Sequence, residues 1–223
     1  MKESSNYSTS TLNQSVNALK YYYKVVIGKE RNYENFTRPN SDKKLPTYYS
    51  KEEITLIINN TENLKHKAMI MLMFSGGLRI SELLNLKPED ILSDVMQVHV
   101  RKTKGRKERY TILSKKALVA LREYYKAEKT TEYLFEGQFG GKYSPSSFRN
   151  VLSKSIKKAG VTKKGSSHVL RHTFATLLLE SGVDIRYIQE LLGHTSSKTT
   201  EIYTHVVNKE LQKIKSPLDN LDI

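Results

Sequence analysis

His168, Arg171 and His172 stand at positions i, i+3 and i+4 of the segment His168-Val169-Leu170-Arg171-His172, and on a helix those spacings share one face. Two imidazoles and a guanidinium aimed at one region suit an anion such as phosphate, which Arg171 can grip with two N–H groups while His168 donates or accepts a proton. A zinc site is the competing chemistry, because His168 and His172 are four residues apart, but a fixed guanidinium repels a second cation. Histidines packed in a helix for stability are the plain alternative. A second arginine lies in Gly76-Gly77-Leu78-Arg79-Ile80-Ser81-Glu82-Leu83. Glycines ahead of it let the backbone turn sharply and deliver a guanidinium into a cleft, although Arg79 three residues before Glu82 also fits an ordinary ion pair.

The segment Arg101-Lys102-Thr103-Lys104-Gly105-Arg106-Lys107-Glu108-Arg109 packs six cations and one anion into nine residues. At the tip of a hairpin, such a charge can enter a groove or lie along phosphates; a solvated loop is the bland reading. Leu191-Leu192-Gly193-His194-Thr195 follows, with Tyr203 nine residues after His194. Tyr203 is one of 14 tyrosines and singles itself out only by its place in this series.

The elements that must position these residues are mostly helical. Leu12, Val16, Leu19, Tyr22 or Tyr23 and Val26 recur at three- and four-residue steps and predict an amphipathic helix over Ser10 to Ile27. The polar, Pro-containing stretch from Gly28 to Pro46 reads as a linker. Ser50, with Glu53 three residues on, predicts a capping box, and the second domain begins here. Leu64 to Phe74 reads as an apolar helix stopped by Ser75-Gly76-Gly77, with another starting near Ile80. Met96, Val98 and Val100 alternate with Gln97, His99 and Arg101, the period of a half-buried strand, and Tyr110 to Leu113 returns beside it. Ser114 to Ala127, Ser146 to Ala159, Val169 to Ser181 and Asp184 to Leu192 read as further helices. The expected fold class is mainly α with a small antiparallel β-sheet.

Composition narrows the partner. The 223 residues carry 37 Lys plus Arg against 23 Asp plus Glu, a formal charge of +14, which favours a polyanion because neutralising phosphates releases counterions. The longest unbroken apolar run, Ala68 to Phe74, is seven residues, against the ~20 of a membrane-spanning helix. The first residues contain no apolar signal segment, so a cytoplasmic protein is expected. With no cysteine, thiol nucleophiles and Cys-held metals are impossible.

Taken together, from about Leu45 onward, the four motifs resemble the catalytic domain of the tyrosine recombinases, the phage integrase family that includes the Xer-type enzymes. The resemblance rests on Gly77 to Leu83, Lys104 to Arg109, His168 to His172, Leu191 to His194, and Tyr203, in that order. It implies that Arg79 and Arg171 clamp a scissile phosphate in DNA, that Tyr203 attacks phosphorus to give a 3′-phosphotyrosyl link, and that Lys104 protonates the departing 5′-oxygen. His168 would help manage the tyrosine proton and His194 would hydrogen-bond the phosphate or nucleophile. Glu82 would brace Arg79, and His172 would support packing. Arg101, Lys102, Arg106, Lys107 and Arg109 would contact DNA. No cofactor or metal is implied, since arginines carry the charge work.

The resemblance also implies that residues 1–45 are the last helix and linker of a larger N-terminal DNA-binding domain, and that residues 46–223 are the catalytic domain. The apolar series Leu211, Ile214, Pro217, Leu218 and Leu221 resembles a tail that docks into a neighbouring subunit of a homotetramer on paired sites in double-stranded DNA. Three rival readings remain at this level: a type IB topoisomerase, a DNA-binding protein on the same fold without catalysis, and a histidine-based metallohydrolase.

Overall fold

The computed structural model describes residues 7, 9–28, 47–101, 108–163 and 165–193. The chain divides into two compact units, residues 1–44 and 45–223. In the first, α1 spans Thr9–Val25. Lys102, Lys104, Arg106, Lys107, His194, Tyr203 and the C-terminal tail lie outside the described residues.

The second unit is built around α3 (Leu64–Ser75), which Asn63 caps by accepting the His66 N–H at 3.0 Å. Ala68, Met69, Ile70, Leu72 and Met73 are all buried, which fits a helix apolar around most of its circumference. It packs against α2 (Lys51–Asn59), α5 (Lys115–Ala127), α6 (Pro145–Lys158) and α7 (Ser167–Glu180). The predicted capping box opens α2: Ser50 Oγ accepts the Glu53 N–H at 3.2 Å, and Glu53 Oε2 accepts the Ser50 N–H at 2.7 Å. A second, smaller apolar cluster of Phe174, Ala175, Ile188 and Leu192 joins α7 to α8 (Ile185–Leu192), and Phe74 touches both clusters.

Two glycines make the turn from α3 into the short α4 (Ile80–Leu83). Gly77 has φ +57°, and a Cβ there would lie 2.5 Å from Phe174 Cδ1. Both the left-handed backbone and the lack of space demand glycine.

Three antiparallel strands follow in the order β1 (Ile91–Leu92), β2 (Gln97–Val100) and β3 (Arg109–Ile112). Val98 pairs with Thr111 and Val100 with Arg109. Directly opposed residues share a face, and Val98 and Val100 point into the core. Register therefore turns Thr111 and Arg109 inward, leaving Tyr110 and Ile112 exposed. The outer face is finished by Tyr110 stacked on His99, ring centroids 4.9 Å apart. β1 is an element that the sequence reading missed: two residues are too few to show a period. Among the described residues no helix is long and apolar enough to cross a membrane.

Candidate active site

Glu82 is the centre of the site. It sits on α4 at 3% exposure, and its carboxylate accepts from the N-cap residue of its own helix and from β3. Arg79 donates twice: its backbone N–H to Oε2 and its Nη1 to Oε1, each at 2.8 Å. Arg109 donates Nη1 to Oε1 at 3.0 Å and Nη2 to Oε2 at 2.8 Å. Arg171 Nη1 stands 3.8 Å from Oε2. Burial pushes the Glu82 carboxyl up, but the hydrogen bonds and charge of Arg109, then those of Arg79, outweigh it and hold the group at about 2. It is ionised at neutral pH.

The C-terminal end of α8 supplies the second anchor. Leu192 O accepts from Arg171 Nη2 at 2.5 Å and from Arg79 Nη1 at 3.3 Å, while Leu191 O accepts from Arg109 Nε at 2.8 Å. Guanidinium groups gather here because the last carbonyls of a helix have no partners within it and carry its negative end. Arg171 is 5% exposed and also donates Nη1 to Gly77 O at 2.7 Å, which ties the α3–α4 turn to α7. Gly193 ends α8 in the left-handed conformation, φ 61° and ψ 48°. A Cβ there would meet Arg109 Cδ at 2.8 Å.

The predicted site residues are thus partly assembled. Arg79, Glu82 and Arg171 come together from two distant motifs, and three guanidinium groups, which stay charged in proteins, surround one carboxylate. That excess of positive charge suits an anion with paired oxygens. His168 is exposed in the first turn of α7, one turn before Arg171. His172 is half-buried, and its pKa is lowered by burial and then by the charges of His168 and Arg171, so its imidazole is neutral at pH 7.

Two basic residues assigned to DNA by the sequence reading are placed otherwise. Arg109, with its side chain 8% exposed, is turned into the site by strand register instead of lying on the surface. Arg101 is half-exposed, but donates Nε to Asp90 Oδ1 at 2.7 Å and Nη2 to Glu89, so acidic neighbours offset its charge. The sequence reading also missed the carbonyls of Leu191 and Leu192 and the fit of Gly193 against Arg109. The only signal for these was the Leu191-Leu192-Gly193-His194 motif itself, since a backbone carbonyl leaves no mark on residue type.

Comparison with known proteins agrees with this architecture. The Phage integrase family matches residues 48–210, and the chain belongs to that family. It is 39% identical over 213 residues to tyrosine recombinase XerA of Pyrococcus horikoshii, covering 94% of this chain and 74% of the relative. Among solved structures, XerA recombinase superposes with a TM-score of 0.71 at 32% identity, covering 93% of this chain and 76% of that one. XerH site-specific recombinase bound to its difH substrate, a pre-cleavage complex, superposes with a TM-score of 0.75 at 26% identity, over 94% of this chain and 66% of the other.

Proposed function

We propose that this protein cleaves and rejoins double-stranded DNA at specific sites, with Arg79 and Arg171 as the clamp on the scissile phosphate and Tyr203 as the nucleophile. Membership of the tyrosine recombinases makes it an enzyme of site-specific DNA strand exchange. The observation that carries the residue assignment is the convergence of Arg79 and Arg171 on one carbonyl, Leu192 O, beside one carboxylate, Glu82. Charge that develops on the non-bridging oxygens of a pentavalent phosphorus is best stabilised by donors held rigid beforehand, and a guanidinium fork offers two parallel donors where an ammonium offers a point charge.

In the proposed reaction the Tyr203 oxygen forms a bond to phosphorus as the bond to the 5′-oxygen breaks. The phenolic proton passes to His168, and Lys104 protonates the leaving oxygen. His194 hydrogen-bonds the phosphate or the nucleophile, and His172, neutral and half-buried, holds the packing of α7. The phosphotyrosyl ester keeps the energy of the broken bond, so rejoining runs as the reverse attack by a 5′-hydroxyl, without ATP. Lys102, Arg106 and Lys107 contact the DNA backbone. Residues 1–45 contribute the last helix and linker of a second DNA-binding element, and the apolar tail docks in trans within a tetramer. An enzyme with this substrate works in the cytoplasm, on the nucleoid.

Covalent capture tests the assignment. Wild-type and Tyr203→Phe proteins are incubated in EDTA with nicked duplexes drawn from DNA flanking the gene and run on denaturing gels. An adduct with wild-type only is the expected result; an adduct that persists in Tyr203→Phe overturns the nucleophile, and dependence on a metal overturns the arginine-based mechanism. Relaxation of supercoiled plasmid without sequence preference would instead favour a topoisomerase. For the tail, deletion of residues 210–223 is expected to reduce cooperative assembly on two-site DNA and leave single-site binding nearly intact, and equal loss of both refutes docking in trans.

A further inference from the structure

Arg109 is fastened at three points: both oxygens of Glu82 and the Leu191 carbonyl take its Nη1, Nη2 and Nε donors. Its side chain is almost fully covered. The Glu82 carboxylate that it grips also holds the backbone and the guanidinium of Arg79, and the α8 end that it grips is where Arg79 and Arg171 meet at Leu192. Arg109 is also the first residue of β3, paired with Val100 at the end of β2. The strand pair Val100 and Arg109, which flanks the basic segment in the sequence, is therefore bolted to the clamp. One side chain joins three segments that meet nowhere in the sequence.

We propose that Arg109 is a positioning residue for strand cleavage: through Glu82 and the Leu191 carbonyl it holds the Arg79 guanidinium, the end of α8 and the base of the basic hairpin in one fixed arrangement, without touching DNA. The proposal rests on the phosphate-clamp reading given above. An ammonium cannot replace it, since a point charge on a flexible stem cannot align with two carboxylate oxygens and a carbonyl together. Groups that orient those doing the chemistry are commonly worth ~10–100-fold in activity. Because Arg109 acts through Glu82, its loss and the loss of the carboxylate charge should not multiply.

The test compares wild-type, Arg109→Gln, Arg109→Lys, Glu82→Gln and the Arg109→Gln/Glu82→Gln double variant. It uses single-turnover adduct formation on a nicked duplex, DNA affinity at several salt concentrations, and thermal melting. The expected result is a ~10–100-fold slower adduct in Arg109→Gln, with only slight recovery in Arg109→Lys. DNA affinity and its salt slope should be unchanged in both. The double variant should be no more than ~3-fold slower than the slower single variant. Three results overturn the proposal: a wild-type rate in Arg109→Gln, a loss of affinity and salt slope that matches the loss of rate and so marks a phosphate contact, or two losses that multiply. If Arg109→Gln does not fold, Arg109→Lys, which keeps the charge and most of the stem, decides alone: slowed chemistry with intact binding supports the proposal and a wild-type rate overturns it. A wild-type protein that binds DNA and forms no adduct removes the functional reading and this inference with it. One that cleaves alongside an equally fast Arg109→Gln removes only the inference.

Discussion

Arg171 on α7 donates Nη2 to Leu192 O on α8 at 2.5 Å, and the same guanidinium reaches Gly77 O, in the turn after α3, at 2.7 Å. A side chain expected to grip substrate is thus also a buried cross-link between three segments. Its two roles have different energetic signatures. Removing it takes the side-chain donor from the buried Gly77 carbonyl and leaves the Leu192 carbonyl only the longer bond from Arg79 Nη1 at 3.3 Å, and a buried group left unsatisfied costs ~1–3 kcal/mol.

Arg171→Lys is therefore expected to lower stability by ~2 kcal/mol or more, whereas Arg79→Lys, at a side chain 18% exposed, should cost less than half as much. Both should slow adduct formation ~100-fold or more with DNA affinity changed only a few-fold, because the forked contact matters most as charge develops in the transition state. Urea titrations alongside single-turnover cleavage and gel-shift affinities separate the two effects. Equal destabilisation by the two changes would contradict the cross-link.

Gly193→Ala tests the fit between α8 and Arg109. The residue has φ 61°, and an added Cβ would lie 2.8 Å from Arg109 Cδ. Backbone strain alone is worth ~1–2 kcal/mol, and Arg109 must also shift off Leu191 O. A loss of ~1–3 kcal/mol by denaturant titration is expected, with a slower adduct. Gly193→Ala that melts and cleaves like wild-type would show that the end of α8 is free to adjust.

Gly77→Ala is expected to be a folding defect first. With φ +57° and the Phe174 ring 2.5 Å from the new methyl, the change adds steric overlap to strain in a turn whose carbonyl holds Arg171. A loss of ~3 kcal/mol or more follows from the two effects together. Circular dichroism melts measure it, and a partial return of stability in Gly77→Ala/Phe174→Leu would locate the clash at that ring.

Stability should carry an acid signature from Glu82. Its carboxyl is held at about 2, below the ordinary glutamate value of 4.5, so the folded state binds its proton later than the unfolded chain does. Such a depressed group contributes its stabilisation fully above the unfolded value, and loses it as pH falls through the interval from 4.5 toward 2. The contribution is of order 3 kcal/mol. Denaturant titrations across this window should show a steep fall in wild-type protein and a shallower one in Glu82→Gln. Parallel curves would mean that other carboxylates dominate acid unfolding.

Local structure was largely legible in the sequence. The capping box of Ser50 and Glu53, the apolar run of α3, the glycine stop after it and the helical stretches all depend on interactions within a few residues. The composition of each segment is enough to specify them. The candidacy of Arg79, Arg171 and Glu82 was legible for the same reason, because their motifs are short and contiguous.

The direction of Arg109 was not legible. On composition, Tyr110 and Ile112 are the residues of β3 to bury, yet they are exposed, while Arg109 and Thr111 face inward. Strand parity allows either face, and the choice was made by pairing with Val98 and Val100 and by packing of β3 against α8. The meeting of three arginines at Glu82, and of two at the Leu192 carbonyl, likewise exists only once α4, α7, α8 and β3 are brought together. Sequence alone determined which side chains could hold a phosphate; tertiary packing decided which of them bind one another, because a buried carboxylate and a helix end must be satisfied by whatever donors the fold delivers.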